Sequence, residues 1–466
     1  MKTSIYWFRN DLRVLDNPAL IDAIKNSDNI IPLFILDSKI LKAKNASSNR
    51  NRFLLESLED LDDSLIKIGG KLILRNGDPS EILENISNEF NAQDIYYSDD
   101  YTPFSIKRDN RLDEYLKNKN IETHRLPGRL AVDELSNIKT QTGNTYKVFT
   151  PFCNNWTTIS RRDVLKAPDS IKLPGNIESE SLPNLEEITN KEALSPNTQK
   201  GGETSALSRL DEFLENDVKD YKEEHNMMAD DRTSRLSAYL HFGCISPRYI
   251  ESKLGKSEGE VEFRRQLGWR DFYNYILFNF PNNQKNEFQE KYKNLNWNKG
   301  KDSIEAWQIG KTGYPIVDAA MRQLNQEGWM HNRGRLIVGS FLTKDLFIDW
   351  REGEAYFSKM LIDGDISNNN GNWQWIASVG VDPAPVFRRI FNPTLQQEKF
   401  DPDAVYIKKY VPELKNVPIK YLGDPSLMPN DVQEKSGCKI GKDYPFPVIN
   451  HLEARKMTLE EFSSVQ

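Results

Sequence analysis

Cysteine is scarce in this sequence of 466 residues, and long apolar runs are missing altogether. The three cysteines, Cys153, Cys244 and Cys438, are widely separated and odd in number, which excludes a disulfide framework and a CxxC-type zinc site. We therefore predict no metal. No run of eighteen apolar residues occurs, which excludes a membrane span, and the polar flanks of the first apolar segment exclude a secretory signal. These absences predict a soluble cytoplasmic protein, which we expect to be a monomer without an obligate protein partner.

Glycine is missing from the turn after the first predicted strand, where the sequence reads Arg9-Asn10-Asp11-Leu12-Arg13. A pyrophosphate reaches the backbone of a Rossmann-type turn only where glycines leave room, so no conventional dinucleotide site is expected there. A P-loop is missing as well. The net charge of −7 argues against a general nucleic-acid coat, although a local basic patch can coexist with an acidic total.

What the sequence does contain is a change of pattern along the chain. Short apolar strands alternate with amphipathic helices over the first ~130 residues, which predicts a doubly wound parallel sheet. Proline and polar residues dominate between about 167 and 204, and helical periodicity prevails beyond 205. We predict an α/β domain over residues 1–130, a connector over 131–204 and an all-α domain over 205–466.

Aromatic residues make up 11% of the chain, and two tryptophans lie in an unusually polar segment, 363–375. It holds two acids and three consecutive asparagines before Trp373 and Trp375. Amides and carboxylates would hydrogen-bond the heteroatoms of a flat polar ligand while the indoles line its faces. The alternative is an exposed turn anchored by one tryptophan.

Two other segments offer polar groups for such a site. Arg335 lies three residues beyond Asn332 on the same predicted helical face, where it could pair with Asp363 or Asp365. Read alone, this segment favours a solvated basic turn. The run 233–237 (Thr-Ser-Arg-Leu-Ser) offers either ordinary helix caps or donors for a phosphate.

Together these segments resemble the photolyase/cryptochrome family, between about residues 2 and 455. The similarity is carried, in the family's order and spacing, by residues 7–13, 233–237, 269–273, 329–335, 363–375 and 391–393. It implies an α/β antenna domain, a connector and an all-α domain that binds FAD, active as FADH⁻. It also implies light-driven repair of double-stranded DNA that contains pyrimidine dimers.

The resemblance assigns FAD contacts residue by residue. Asn369 falls where the family places the residue facing the flavin N5, a position occupied by Asp in plant cryptochromes and Cys in animal ones, so Asn369 favours a repair enzyme. The implied FAD contacts are Tyr221, Thr233, Ser234, Arg235, Leu236, Ser237, Arg270, Asn332, Arg335, Asp345, Asp363, Gly364, Asp365 and Asn369.

Three further groups of residues follow from the same resemblance. Electron transfer to oxidised FAD is implied for Trp373, Trp350 and Trp297. The lesion pocket is implied to contain Gln266, Trp269, Asn332 and Trp375. DNA contacts are implied for Arg333, Arg388 and Gln396.

The closest likeness within the family is to class I-type cyclobutane pyrimidine dimer photolyases, which are carbon–carbon lyases. Gln266 departs from it, since those enzymes carry Glu there and (6-4) photolyases carry Gln. The (6-4) enzymes, however, need histidines where this chain has Asn332 and Leu336. A (6-4) photolyase and a cryptochrome-like blue-light photoreceptor remain the alternatives, and the short C-terminal segment disfavours the photoreceptor.

An antenna chromophore is expected in the first domain, and a deazaflavin, a folate and a flavin all remain open. Arg52 lies where some family members contact a deazaflavin. Thr102 replaces an acid typical of folate-binding members, which disfavours a folate.

Overall fold

The computed structural model describes residues 1–43, 46–189 and 194–465, which form a sheet unit followed by a helical unit. The strands are β1 (Thr3–Phe8), β2 (Asn29–Leu36), β3 (Ile73–Asn76), β4 (Asp94–Ser98) and β5 (Glu122–Leu126).

The α-helices follow in chain order. They are α1 (Pro18–Lys25), α2 (Ser38–Leu41), α3 (Ser48–Lys67), α4 (Pro79–Phe90), α5 (Pro103–Lys117), α6 (Phe149–Trp156), α7 (Leu185–Ile188), α8 (Glu203–Asn216), α9 (Tyr221–Glu224), α10 (Ser237–Phe242), α11 (Pro247–Lys253), α12 (Glu258–Asn279), α13 (Lys301–Ile309), α14 (Pro315–Glu327), α15 (Asn332–Ser340), α16 (Trp350–Met360), α17 (Ile366–Ala377), α18 (Pro393–Phe400), α19 (Val405–Tyr410), α20 (Asn430–Ser436) and α21 (His451–Ser464).

Shorter helical turns connect these elements. A π-helical segment, Phe341–Asp345, continues α15. The 3₁₀ turns are Leu135–Asn137, Val218–Asp220, Pro281–Gln284, Glu290–Tyr292, Val386–Arg389, Pro412–Leu414, Ile419–Tyr421 and Pro425–Leu427.

The sheet confirms the predicted fold class. All neighbouring strands are parallel, and their order is β3-β2-β1-β4-β5. Ile5 of β1 lies opposite Ile31 of β2 on one side and Ile95 of β4 on the other. Both β1 and β2 are buried along their whole length, because helices cover both faces of the sheet. The order reverses beside β1, so a ligand crevice is expected at the carboxyl ends of β1 and β4.

The turn without glycine after β1 joins the two units. The buried guanidinium of Arg13 donates to Gly243 O at 3.0 Å and to Gly128 O at 2.8 Å. Gly243 has a φ of +66°, and a Cβ there would lie 2.0 Å from Asn10 O, so the backbone of the helical unit approaches this turn directly. The turn therefore contacts the backbone of the helical unit and not a pyrophosphate.

The interval predicted as a connector contributes to the core of the helical unit. Phe149 of α6 stacks on Trp269 of α12 with ring centroids 3.6 Å apart. Trp156, also in α6, donates from Nε1 to the buried Asp271 at 2.9 Å. This part of the interval is therefore packed against α12, and residues further along it, such as Ile171 and Ile188, are buried as well.

The polar segment 363–375 is mostly a helix, so the alternative of an exposed turn is wrong. Asp365 is the N-cap of α17, and its carboxylate accepts from Asn368 N at 2.9 Å. Asn370 is buried and donates to Glu354 Oε1 at 3.0 Å. The consecutive asparagines are tolerated because Asp365 at the helix start and Glu354 on α16 supply their hydrogen-bond partners. Within the described residues, no helix is both long enough and apolar enough to cross a bilayer.

Candidate functional site

A cavity of about 400 Å³ lies in the helical unit and is called the first cavity below. It is bounded by α9, α10, α12, α15, α17 and the loop before α10. It brings together most of the residues that the sequence singled out: Tyr221, Thr233, Ser234, Arg235, Leu236, Ser237, Gln266, Trp269, Arg270, Asn332, Arg335, Asp363, Gly364, Asp365, Asn369, Trp373 and Trp375.

An ion pair in the lining of the first cavity joins α15 to the segment just before α17. Arg335 binds Asp363 through two hydrogen bonds, of 3.2 and 2.8 Å, which confirms the predicted pairing and excludes the solvated basic turn. Burial alone would raise the pKa of Asp363, but the Arg335 guanidinium holds it below its usual value. Asp363 is therefore a fixed negative charge in the wall.

The neighbouring acid Asp365 is held in the same way. Its side chain lies 3.3 Å from the guanidinium of Arg129 and 4.0 Å from His241 Nδ1. Burial opposes ionisation of Asp365, yet Arg129 keeps its pKa below the ordinary value. Burial lowers the pKa of His241 to about 4, so this imidazole is neutral near pH 7.

Asn369 is oriented by its contact with α16. Its Nδ2 donates to the carbonyl oxygen of Glu354 at 2.9 Å. The side-chain oxygen is then the polar atom that Asn369 can present to the first cavity as an acceptor. Burial raises the pKa of the Glu354 carboxyl to about 7.

Aromatic rings form two other parts of the wall. Trp375 is half-buried, with the Arg389 guanidinium 3.9 Å from its ring and Asp382 3.3 Å from its Nε1. Trp269 is fixed by its stacking on Phe149. Both indoles are thus held rigidly by neighbours.

Trp373 is buried and packs against α16. A Cβ at Gly353 would lie 2.1 Å from Cη2 of this indole, so only glycine permits the observed approach of the two helices.

Gln266 has a carboxylate neighbour one helical turn earlier. Its Nε2 donates to Glu262 Oε1 at 2.8 Å. Because an ionised carboxylate can only accept, the amide nitrogen must face Glu262, and the carbonyl oxygen of Gln266 remains to serve the first cavity. Gln266 therefore offers an acceptor there.

Six of the predicted site residues do not line the first cavity. Among them only Asp345 was predicted to contact FAD, and its placement corrects that prediction. Its buried carboxylate meets His451 Nδ1 at 2.5 Å, where α21 covers the π-helical segment. Burial raises the pKa of Asp345 to about 6, although the bond to His451 favours its charged form. Asp345 thus stabilises the packing of α21.

The other five lie around the first cavity or at the surface. Trp350 is fully buried and Trp297 is half-buried. Arg333 donates to Asn226 Oδ1 at 2.6 Å and stacks on the Phe400 ring. Arg388 is exposed, and Gln396 is half-buried.

A second cavity, also of about 400 Å³, lies at the carboxyl ends of the strands. Trp7, Arg9, Asp100 and Arg129 are among its lining residues, as expected for the point where the strand order reverses. His241, Gly364 and Asp365 line both cavities, so they form a shared wall. Thr102 lines the second cavity; Arg52 does not, and instead lies 3.5 Å from Glu56.

Sequence reasoning missed several lining residues of both cavities. His241 lies only four residues after Ser237 on α10, and that spacing was the available signal. Arg9 lies in the run 7–13, which was noted for lacking glycine and for its resemblance to the family, but no site role was predicted for Arg9. Its guanidinium binds Asp109 at 2.7 and 2.9 Å at the end of β1.

Two protein-family models match the chain. Residues 4–170 match "DNA photolyase", and residues 263–464 match "FAD binding domain of DNA photolyase". A curated protein of Agrobacterium fabrum named deoxyribodipyrimidine photo-lyase is 37% identical over 99% of this chain and 98% of its own. A protein of Arabidopsis thaliana named (6-4)DNA photolyase is 34% identical over 97% of this chain and 86% of its own.

Solved structures agree over the whole chain. A bacterial class III photolyase from Agrobacterium tumefaciens has a TM-score of 0.94 at 36% identity and covers 100% of this chain and 98% of its own. A cryptochrome from Synechocystis has a TM-score of 0.89 at 31% identity, covering 99% of both chains. An archaeal photolyase from Sulfolobus tokodaii, solved with two FAD molecules, has a TM-score of 0.85 at 34% identity, with coverages of 99% and 100%.

Proposed function

The chain belongs to the DNA photolyase family, and on this premise we propose that it splits cyclobutane pyrimidine dimers in DNA under light. One observation carries the proposal. A single cavity combines buried acids and guanidinium groups, a hydroxyl-rich loop and two rigid indoles. Reduced FAD supplies, when bound, the absorption of blue light and one electron that opens the cyclobutane ring and then returns. FAD is the cofactor of the family's helical domain.

The lining of the first cavity suits a flavin dinucleotide. The loop 233–237 offers hydroxyl and amide donors for phosphates, while Asp363 and Asp365 offer acceptors for ring and ribityl donors. Asn369 presents its oxygen, which can accept a hydrogen bond from the N5–H of a reduced flavin. Arg270 and Arg335 supply further polar contacts in the same lining.

The lesion pocket is assigned to the side of the first cavity lined by Trp269 and Trp375. Indole faces suit a pair of stacked bases turned out of the duplex, and Gln266 and Asn332 supply polar contacts to their edges. With Nε2 engaged by Glu262, Gln266 would accept from a pyrimidine N3–H.

Cyclobutane dimers are favoured over (6-4) lesions by where the histidines lie. His225 Nδ1 bonds to Tyr221 O at 2.6 Å, and His241 lies beside Asp365. The positions where the (6-4) enzymes carry histidine are Asn332 and Leu336, and neither side chain can donate a proton as an imidazolium does. The solved structure matched at a TM-score of 0.94 is a class III photolyase, so the class I-type likeness stays a prediction.

DNA binding is assigned to the surface around Arg333, Arg388 and Gln396. Arg388 is exposed and free to meet a backbone phosphate. Burial lowers the pKa of Arg333 to about 10, which leaves it charged near pH 7. We expect salt-dependent binding by a monomer.

The second cavity is the place we assign to an antenna chromophore. Its shared wall with the first cavity, His241, Gly364 and Asp365, would keep two pigments apart but close. Aromatic residues such as Trp7 and Phe104 and cations such as Arg9 and Arg108 suit a flat pigment with polar substituents.

One assay tests the repair function and separates its rivals. The purified chain with reduced FAD is incubated with duplex oligonucleotides that carry a cyclobutane dimer or a (6-4) lesion, in darkness and under blue light. We expect light-dependent loss of the cyclobutane dimer only. Loss of the (6-4) lesion instead identifies that alternative, and flavin photochemistry without any repair identifies a photoreceptor. Trp269→Ala and Trp375→Ala should retain FAD and lose most repair.

A further inference from the structure

One carboxylate that lines neither cavity links the two indoles of the lesion pocket. Asp382 lies in the loop after α17, outside the lining of both cavities. Its Oδ2 accepts a hydrogen bond from Trp375 Nε1 at 3.3 Å, and its Oδ1 accepts one from Phe149 N at 3.2 Å. Phe149 in turn stacks on Trp269, with ring centroids 3.6 Å apart and ring planes within 10° of each other. The Asp382 side chain therefore contacts one indole directly and reaches the other through a single ring.

The main chain holds this carboxylate in place from two sides. Asp382 N donates to Lys147 O at 2.9 Å, and Asp382 O accepts from the Arg389 guanidinium at 2.6 Å. Asp382 has a φ of +55°, in the left-handed region that aspartate and asparagine tolerate better than most residues with a side chain. The same guanidinium donates to Trp375 O at 2.8 Å and stacks on the Trp375 ring. Asp382 thus joins the start of α6 to the segment after α17, and a shift of either would break these contacts.

A carboxylate suits this position because Phe149 is the first residue of α6. The amide groups in the first turn of a helix have no acceptor within the helix. The preceding residue, Val148, has no side-chain acceptor, so the remote Asp382 supplies one. Its negative charge also lies at the positive end of the helix dipole. Both carboxylate oxygens of Asp382 are therefore in use, and an amide in its place would offer only one oxygen.

We propose that Asp382 is a positioning residue that sets the relative placement of Trp269 and Trp375, and thereby the preference of the pocket for a pyrimidine dimer over undamaged bases. The proposal rests on the proposed function, in which these two indoles form walls of the lesion pocket. Two covalently joined bases have a fixed shape. Walls that are held by one carboxylate are preorganised for that shape, so less ordering is needed when the dimer binds.

The first test follows the two indoles directly, without DNA. The full chain with oxidised FAD is labelled with ¹⁵N in tryptophan, and the two indole signals are assigned with Trp269→Phe and Trp375→Phe. Asp382→Asn keeps the size of the side chain and its tolerance for a positive φ, but it leaves Phe149 N or Trp375 Nε1 without an acceptor. The indole N–H resonances of Trp269 and Trp375 should both shift, while that of Trp297, outside the first cavity, should not. A shift of Trp375 alone, or of neither, would overturn the proposal.

The second test measures DNA binding in darkness. Duplexes with and without a cyclobutane dimer are titrated with the unmodified chain and with Asp382→Asn. Partial loss of base stacking should weaken binding of the dimer duplex by about tenfold and leave binding of the undamaged duplex unchanged. FAD content should also stay constant, because Asp382 does not line the first cavity. An equal loss of affinity for both duplexes would contradict the proposal, because it would show a general structural role.

Two further variants separate positioning from stability. Asp382→Gly removes both acceptors but suits a φ of +55° and keeps the main-chain contacts, so it should fold and weaken dimer binding at least as much as Asp382→Asn. Asp318→Asn is the matched control, since that buried carboxylate accepts from Thr312 N at 2.7 Å and Gly313 N at 3.2 Å and lines neither cavity. It should lower stability without changing the preference for the dimer. Unchanged preference in Asp382→Gly, or the same loss of preference in Asp318→Asn, would overturn the proposal.

A double-mutant cycle shows whether Asp382 acts through Trp375. Trp375→Phe removes the Nε1 donor, so adding Asp382→Asn should then weaken dimer binding less than it does in the unmodified chain. Purely additive losses would contradict the proposal. If the unmodified chain itself shows no preference for the dimer duplex, the proposed function fails, and the resonance test still decides whether Asp382 orients both indoles.

Discussion

The two cavities have similar volumes and share a wall, but they are built in different ways. The first is lined by helices whose site residues follow one another closely in sequence, as in 233–237 and 363–375. The second is lined by short stretches that lie far apart in the sequence, such as 7–10, 46–54 and 364–366, and that the strand order brings together. Side chains grouped in one run can be found from the sequence, whereas residues gathered by strand order cannot. The first cavity was therefore largely predicted, and the second was expected only as an antenna site somewhere in the first domain.

The largest effect is expected from Asp363→Asn, which should abolish FAD binding in the first cavity and leave the second cavity intact. The substitution leaves Arg335 without its counter-charge. Because 26% of the Arg335 side chain is exposed, the loss in unfolding free energy should lie near the lower end of the about 3–5 kcal/mol typical for breaking a buried pair. Bound FAD per chain, measured by absorbance, should fall to a small fraction.

The control for this variant is an ion pair remote from both cavities. Arg322 binds Glu413 through hydrogen bonds of 2.9 and 2.8 Å, and both side chains are largely buried. Arg322→Gln should lower stability while FAD content is unchanged. Equal FAD content in Asp363→Asn and Arg322→Gln would show that the Asp363 pair is structural only.

The stability of the contact between the sheet unit and the helical unit should depend on pH through Glu203. Its carboxylate accepts from Val14 N and Leu15 N, each at 2.9 Å, but burial is the larger influence and raises its pKa from 4.5 to about 7. The folded chain thus holds this proton more tightly than the unfolded chain. The resulting stability is fully present below about pH 4.5 and is lost as pH rises through about 7.

Glu203→Gln should remove this contribution to the pH dependence of the unfolding free energy, which is on the order of 3 kcal/mol at most. Urea unfolding across that pH interval measures it. Glu212→Gln, on the exposed face of the same helix, should leave the slope unchanged. Equal slopes of unfolding free energy against pH for the unmodified chain and Glu203→Gln would contradict the prediction.

A smaller effect is expected where α16 approaches Trp373. Gly353→Ala places a methyl group on the indole and should cost about 1–3 kcal/mol by overpacking. It should also change the photoreduction rate, because Trp373 has to move. Gly300→Ala is the matched control, since the nearest atom would be 3.5 Å from its Cβ. Thermal unfolding and flavin photoreduction measure both effects, and identical values for the two variants would contradict the prediction.

The smallest effect on stability is expected from filling the second cavity. Ile40 lines it and is 46% exposed, so Ile40→Trp can place an indole in the entrance without disturbing the core. Any second chromophore should then be lost while FAD content and repair by pre-reduced protein stay unchanged. The absorbance spectrum before and after denaturation measures both pigments. Loss of FAD together with the second pigment would show that the two cavities do not load independently.

Individual residues show how far sequence reasoning reached. Helices α1 (Pro18–Lys25) and α16 (Trp350–Met360) begin directly after Asn17 and Asp349, whose side chains cap them, and such capping residues are a local signal that the sequence itself carries. The pairing of Arg335 with Asp363 was expected as one of two choices. Helix α17 was not predicted, since its run of asparagines has low helix propensity and is stabilised by partners such as Glu354 on α16. Asp345 was misplaced because its partner His451 is distant in sequence.

By itself, the sequence determined the parallel sheet, the helical second half and the group of polar and aromatic residues that form the first cavity. It could do so because hydrophobic periodicity and short runs of functional side chains are local properties. Only the tertiary structure decided which acid pairs with Arg335, that Arg9 and Arg129 meet at a second cavity, and that Trp307 touches Trp373. Those contacts depend on strand order and on how helices cross, and no local pattern records either of them.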